Sequence, residues 1–507
     1  MDYLVRGKFV LTQQERYGPD GILPDGAIYV SGQDIVEVGP YKDLKAVYPT
    51  APIVGSRRFC VMPGFVNAHQ HGKGLTNFQL GGLDECLELS RVTPSPQAKA
   101  EPYADTLYGC LRMIESGVTN CIHYNSSRGP SYYEADVRER IRAYRDAGLR
   151  VSFGLDIRDR NHIVYGDEEF LSDRPASLKE RVREKLTQSR TAKPEDYFRL
   201  VNNLSAADDQ GDSRMKLFLT PAGPQWCTED LLRAVKRESE ERDLGVQIHV
   251  LETRYQRSYF LRTYGKSAVC WLDELGFLSP RVSLAHGVWL SRDDISLVAE
   301  RGSAVVHNPS SNLRLKSGIA PLPLLYGSGV RLALGLDSST LNDDSDMLQE
   351  MRLCASLQRI PGVNSELVPL REIFKMATVY GSEVLGWGKI TGTLEPGKRA
   401  DMILLDMNSL TRPYQSPWQN PINTLIYRGK ASAVDTVIVD GEILYQGKKH
   451  LRLRPKSVIG QLRKSLTPPA AEKSGGLEAE ILPHVIRYYQ SWDEDTVVPF
   501  HKINSIQ

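Results

Sequence analysis

Alternation of apolar and polar residues marks short strands at both ends of the chain. Residues 3–11, 27–31 and 34–39 carry it, and Ser31-Gly32-Gln33-Asp34 turns the chain between the last two. Near the other end, 400–406 and 436–439 alternate again, and Asp440-Gly441 makes a hairpin turn into 442–445. Strand-rich ends around a different middle predict a small β-sandwich built from both termini. In the middle, apolar runs at 61–68, 118–124, 149–156, 215–221, 245–251, 281–285, 303–307 and 330–336 read as eight buried strands. Helix-period segments at 104–116, 135–146, 229–242 and 292–300 separate several of them. Eight strands with intervening helices predict an α/β fold, a closed (β/α)8 TIM-like barrel. The expected organisation is a small β-sandwich domain from 1–60 and 391–460, a barrel over 61–390, and a linker with a C-terminal arm over 461–507. Residues 158–214 are long and charged for a connection and are expected to form a helical excursion over the barrel mouth. Residues 468–476 are a linker by composition. They lead to a helix over 477–491, which reads as a packing or dimer-contact arm, or more sharply as one that shapes a partner subunit's active site.

Composition narrows the function classes. The 507 residues are 41 % hydrophobic and 25 % charged, as in ordinary soluble globular proteins. A net charge of +1 gives no field that would steer the chain to nucleic acid or membrane. The local basic run 448–454 reads as a solvated edge. The first residues lack the apolar core of a signal peptide, and no stretch approaches a membrane span. The seven cysteines are scattered, odd in number and without a Cys-x-x-Cys pair, which points to reduced thiols in the cytoplasm. The partner expected is a small-molecule substrate.

The candidate chemistry begins with His69 and His71, at the end of the apolar run from Val61. Alternate residues of a strand share a face, so both imidazoles can reach one ion. Zinc is the commonest ion held by imidazole, with iron its rival. His249 and Glu252 end the fifth strand, His286 the sixth and Asp337 the eighth. In a barrel of this kind, that rim is where active sites are built. The fourth strand, 215–221, has its one lysine, Lys216, at the start and away from the rim, which favours a single metal over a pair bridged by a carboxylated lysine. Gln225 and Trp226, just after that strand, fit either a substrate-facing lip or loop packing. His123 on the second strand is a candidate for substrate contact or support of the site, and His162 for contact from the excursion. His307 and Asn67 read as structural, and His450, His484 and His501 as surface residues.

In this order and at these gaps, several segments together resemble the amidohydrolase superfamily, in particular its cytosine-deaminase-like and triazine-hydrolase-like branch. They are Pro-Gly-Phe-Val-Asn-Ala-His-Gln-His at 63–71, His-Val-Leu-Glu-Thr at 249–253, and Leu-Ala-His-Gly-Val-Trp-Leu at 284–290. Asn-Pro-Ser-Ser-Asn-Leu-Arg-Leu at 308–315, Gly-Leu-Asp at 335–337 and Leu-Glu-Pro-Gly-Lys-Arg-Ala-Asp at 394–401 complete the set. The resemblance runs from about residue 3 to 446. It implies His69, His71, His249 and Asp337 as ligands of one divalent ion per subunit, Zn2+ before Fe2+. It also implies His286 as hydrogen-bond partner of the metal-bound hydroxide or the developing oxyanion, and Glu252 as proton shuttle. Asp337 can accept a proton as hydroxide attacks an sp² carbon, and Glu252 can protonate a leaving nitrogen. A homodimer or larger homo-oligomer is expected from the same resemblance and the extra tail. Residues 72–82 and Ser338-Ser339 depart from the family pattern where the pocket is lined, so substrate identity does not transfer.

The function these features predict is a mononuclear metal-dependent hydrolase of non-peptide C–N bonds. Hydrolytic deamination of an amino-substituted N-heterocycle leads. Hydrolysis of a linear amide, urea or carbamate, or of an aryl halide, at the same site is the alternative. A barrel scaffold without catalysis is the remote one.

Overall fold

The computed structural model describes residues 2–90, 92–93, 98–125, 130–187, 192–208, 213–338, 340–359, 363, 367–468 and 476–492. Two sheets organise it. One is an eight-stranded parallel sheet whose strands follow in chain order: Phe65–Asn67, Val118–Tyr124, Arg150–Ile157, Met215–Pro221, Gly245–Val250, Val282–His286, Ala304–His307 and Arg331–Leu334. The first and last strands meet through Ala68 N–H donating to Leu334 O (3.0 Å) and Asp337 N–H to His69 O (2.8 Å). Asn67, read as structural, accepts from Leu336 N–H at 2.9 Å across the same seam. These bonds close the barrel and tie two candidate ligands to one another by backbone.

The second sheet has nine strands and draws on both ends of the chain. Asp2–Leu11 pairs with Gly26–Ser31 on one side and with Ile53–Pro63 on the other, and Ile53–Pro63 pairs with Met402–Asp406. Val5, Ile28, Val61, Met402 and Ile438 share one apolar cluster inside it. A buried ion network fastens this sheet to the barrel. Arg150, on the third barrel strand and fully buried, pairs with Asp401 at 2.9 Å and with Asp440. Asp440 also accepts from Arg214 at 2.9 Å. The planar guanidinium meets Asp401 with two parallel donors, Nε and Nη2, and still reaches Asp440, a bidentate geometry that the ammonium of lysine does not offer.

The run 61–68 is not one barrel strand. Residues 61–63 end the long strand Ile53–Pro63 of the mixed sheet, and only Phe65–Asn67 joins the barrel. Between them Gly64 packs on Thr119 so closely that a Cβ would lie 2.1 Å from Oγ1. Pro63 brings no N–H to continue a ladder, so the chain changes sheets there without any break in hydrophobicity.

The barrel helices follow local signals. Glu229–Arg242 starts at Thr228, whose hydroxyl accepts from Leu231 N–H, and stops at Asp243 in the left-handed region. Arg292–Glu300 opens with a capping box of Ser291 and Asp294. The expected excursion divides in two. Its early part, around residues 159–166, lies against the loop after the fourth strand, where Asp159 and Arg160 N–H groups donate to Trp226 O. Its last helix, Pro194–Asp208, packs instead on the flank of the third and fourth strands, as a barrel helix does. Leu477–Gln490 folds back on its own chain, with Ile481, Val485 and Tyr489 buried in the main core. The linker residues 469–475 and the tail beyond 492 lie outside the described residues. All seven cysteines are free thiols. His450 is not a surface residue: its side chain is 2 % exposed and faces Glu115 at 3.1 Å. Among the described residues no helix is long and apolar enough to cross a membrane.

Candidate metal centre

Three imidazoles and a carboxylate converge at the C-terminal strand ends. One ring nitrogen each of His69, His71 and His249 lies within 4.8 Å of the others, and His69, His286 and Asp337 form a second group of the same tightness. Asp337 Oδ1 stands 3.4 Å from His71 Nε2 and 3.8 Å from His69 Nε2. The backbone is bent to achieve this. Leu251, His286 and Asp337 have φ of 50°, 76° and 54°, a left-handed conformation that non-glycine residues adopt at a cost. At each strand end the bend turns the side chain off the strand's line.

For His69, His249 and His286, hydrogen bonds on the far side of the ring fix which nitrogen points inward. Gln247 spends its amide nitrogen on Ala68 O (3.0 Å) and Ser283 Oγ (3.2 Å). Its Oε1 therefore faces His69 Nδ1, at 2.6 Å, and takes that N–H. His249 Nδ1 donates to the carbonyl of Ala222 at 2.8 Å. His286 Nδ1 faces Asn312 Oδ1 at 2.8 Å. The Nε2 lone pairs are thus left for the centre, and among the described residues the buried Nε2 atoms of His69 and His286 have no hydrogen-bond partner. Ser311 Oγ donates to Asp337 Oδ2 at 2.6 Å, and Ser338 N–H to Oδ1 at 2.6 Å.

Protonation follows from burial. It holds His69 at about 4 and His71 at about 3, so both are neutral donors at neutral pH. Burial and the neighbouring imidazoles push His249 down further. Burial alone would raise Asp337, but His69, His71 and His286 outweigh it and keep the carboxylate ionised. Glu252 goes the other way: burial first, then the charges of Asp337 and Glu88, hold it well above the carboxylate range, as an acid. Glu252 Oε2 lies 3.6 Å from His286 Nε2, and Ser317 Oγ lies 3.4 Å from Oε1. Neutral imidazoles with one ionised carboxylate are a donor set that fits a divalent ion of the zinc type.

Other candidates fall outside this cluster. His123 is fully buried, stacks on Phe153 at 4.5 Å and meets Tyr144 OH at 3.1 Å. It packs under Gly72, where a Cβ would fall 1.8 Å from its ring. Gln225 is fully buried, and neither amide atom has a partner among the described residues. Trp226 is buried edge-on to Tyr165. His162 gives its backbone N–H to Asp167, and His307 is buried at the end of the seventh strand. Lys216 donates to Gly386 O at 2.5 Å, at the opposite end of its strand from Pro221. Gln247, Ser311 and Asn312 were not singled out as site residues. Gln247 precedes His249 by two positions and so shares its strand face, a signal that was present; Ser311 and Asn312 lie in the segment 308–315, but what they touch depends on the turn after the seventh strand.

Residues 60–444 match the model of the amidohydrolase family. A 5'-deoxyadenosine deaminase of Methanosarcina acetivorans is 32 % identical over 470 residues, covering 91 % of this chain and 97 % of that one. A 5'-deoxyadenosine deaminase of Methanothermobacter thermautotrophicus is 34 % identical over 408 residues, covering 79 % and 85 %. Among solved structures, an adenosine deaminase from Xanthomonas campestris with bound zinc superposes with a TM-score of 0.75 at 24 % identity, over 91 % of this chain and 97 % of that one. Atrazine chlorohydrolase from Arthrobacter aurescens, complexed with zinc, gives 0.74 at 21 %, over 91 % and 99 %.

Proposed function

The chain belongs to the amidohydrolase family, and from that premise we propose that it is a zinc-dependent aminohydrolase that replaces an amino group on an N-heterocycle with oxygen from water. One ion per chain is held by His69, His71, His249 and Asp337. Bound there, a divalent ion would supply the Lewis acidity that makes water a nucleophile near neutral pH.

The observation that carries the reading is Glu252, a carboxyl 2 % exposed and held as an acid beside the ligand cluster. A nitrogen leaving group departs only when protonated, whereas a halide needs no proton, so a buried acid at this place suits C–N cleavage. As water adds to the ring carbon, its proton passes to an ionised acceptor, Asp337, whose Oδ2 is 3.8 Å from His286 Nε2. His286, neutral and bonded through Nδ1 to Asn312, offers Nε2 as an acceptor. Standing 3.6 Å from Glu252 and beside Asp337, that nitrogen can relay the proton taken by Asp337 back to Glu252 after Glu252 has given up its own. Glu252 delivers the proton that leaves with ammonia. The relatives named as 5'-deoxyadenosine deaminases make aminopurines the first rings to test. The reading includes a cytoplasmic homo-oligomer. In its support, Trp418 and Tyr414 are 93 % and 75 % exposed, surface aromatics that a subunit contact would cover.

The test is ammonia release by the zinc-loaded protein from adenosine, 5'-deoxyadenosine, aminopyrimidines, aminopterins and aminotriazines. Ammonia in step with the matching lactam supports the reading. Acid or amine from open-chain amides and ureas, with silence from every ring, replaces it with the amide-hydrolase alternative.

A further inference from the structure

A polar side cavity opens beside Asp337, and we propose that it receives an anionic oxygen group of the substrate, carboxylate or phosphate, so that the enzyme selects rings bearing a negative charge. This rests on the deaminase reading and adds the class of ring.

The cavity, about 40 Å³ in volume, lies between the first and last barrel strand ends and the helix Pro102–Glu115. Lys73 and Thr76 line it from the loop after His71, Arg112 from the helix, and Asp337, Ser338 and Thr340 from the end of the eighth strand. Its floor is therefore a candidate metal ligand, and a group bound in it sits next to the centre.

Both cations have donors to spare. Lys73 forms no hydrogen bond or ion pair among the described residues and is open to solvent through the cavity. Arg112 gives one Nη2 bond to the carbonyl of Asp343 and pairs with no carboxylate among those residues. Of the nearby acids, Asp105 and the ionised Asp337 act on Lys73 through their charge, but neither hydrogen-bonds to it, and their oxygens are engaged by other donors. Asp105 Oδ1 accepts from the backbone N–H groups of Gly74 (3.0 Å) and Leu75 (2.9 Å). Asp344, also in the wall, accepts from Thr340 Oγ1 at 3.2 Å and from Asp346 N–H at 3.4 Å.

The loop that carries Lys73 is locked by packing rather than by an ion pair. A Cβ at Gly72 would collide with His123, and one at Gly74 would come 2.2 Å from Asp105 O. Only glycine permits so close an approach on each side of the lysine. Two cations with unspent donors, flanked by hydroxyls, recognise anionic oxygen through charge-assisted hydrogen bonds.

The experiment measures binding by calorimetry to the zinc-loaded full chain, using pairs of lactam rings that differ only in charge: orotate against its carboxamide, and inosine 5'-phosphate against inosine. The expected result is that the anionic member of at least one pair binds roughly tenfold or more tightly, and that Lys73→Met removes most of that preference. Zinc content and circular dichroism check that the variant folds; if it does not, Arg112→Gln carries the same test. Equal binding within every pair that binds, or a preference untouched by both variants, overturns the inference. If ammonia is still released from neutral rings, the deaminase reading survives that failure. If no ring binds and none is deaminated, the reading falls and the inference with it.

Discussion

Replacing Gln247 with leucine should weaken zinc binding by about ten- to a hundredfold while leaving every ligand in place. Gln247 and His69 are both fully buried, and their bond is 2.6 Å long. Two costs can be separated. Freeing the imidazole proton to sit on either nitrogen costs at most RT ln 2, about 0.4 kcal/mol. That is too small to matter. With zinc on Nε2, however, the proton must stay on Nδ1, and in the variant Nδ1–H faces a methyl group. A buried donor without an acceptor costs about 1–3 kcal/mol, which brackets the expected loss of affinity. Gln247→Glu keeps an acceptor in place and should retain more affinity than the leucine variant. The assay is competition for zinc against a chromophoric chelator, with circular dichroism to confirm the fold. A dissociation constant within about threefold of wild type would show that Gln247 does not hold His69 for the metal.

Four further outcomes follow from the same structure. Glu252→Gln should keep its zinc and lose about 10²–10⁴-fold in kcat; an unchanged rate would mean that the leaving group needs no proton. Glu252 works as an acid raised by burial, so wild-type kcat should fall as pH rises through its pKa, an alkaline limb that steady-state profiles would reveal. Arg150→Met leaves Asp401 and Asp440 buried without their shared cation, and should cost about 3–5 kcal/mol in denaturant unfolding; a loss under about 1 kcal/mol would remove the network's role in joining the two sheets. Burial raises Glu350 from 4.5 to about 8. The native state then holds a proton that the unfolded chain has released, so this contribution to stability is complete below about pH 4.5 and is lost as pH rises towards 8. At about 1.4 kcal/mol per unit the upper bound is of order 5 kcal/mol, and Glu350→Gln should flatten the melting temperature across that window; an equally steep fall in the variant would assign it to other groups.

The parts of the centre that were legible in the sequence are those at the ends of apolar runs. His69 and His71 were legible as a His-x-His pair closing an apolar run, although the strand itself stops at Asn67 and both rings lie beyond its end; His249, His286 and Asp337 were recognisable as polar residues closing apolar runs. The eight barrel strands were legible for the same reason: each is buried on both faces and reads as an apolar run. The change of sheet at Gly64 was not legible, since Val61 to Val66 is apolar throughout, and only tertiary pairing separates the two strands. Pro194–Asp208 looked like part of an excursion because charged helices on a barrel's outer face resemble charged helices over its mouth. The supporting residues were hidden for a different reason. Nothing in an isolated Asn312 or Ser311 says which ring or carboxylate it will meet after the turn. His450 was read as exposed because it sits in a basic run, yet the run crosses the edge of the mixed sheet and turns this one ring onto Tyr445.

The central claim, hydrolysis at a zinc centre, is tested most directly by mass spectrometry of the product formed in heavy-oxygen water. Zinc-loaded, zinc-stripped and zinc-restored protein would be compared on the same amino-heterocycle panel. The account predicts one heavy oxygen at the ring carbon that carried nitrogen, one ammonia per lactam, and turnover that disappears and returns with the metal. Full turnover by metal-free protein, or a loaded protein that releases no ammonia from any ring, would contradict it.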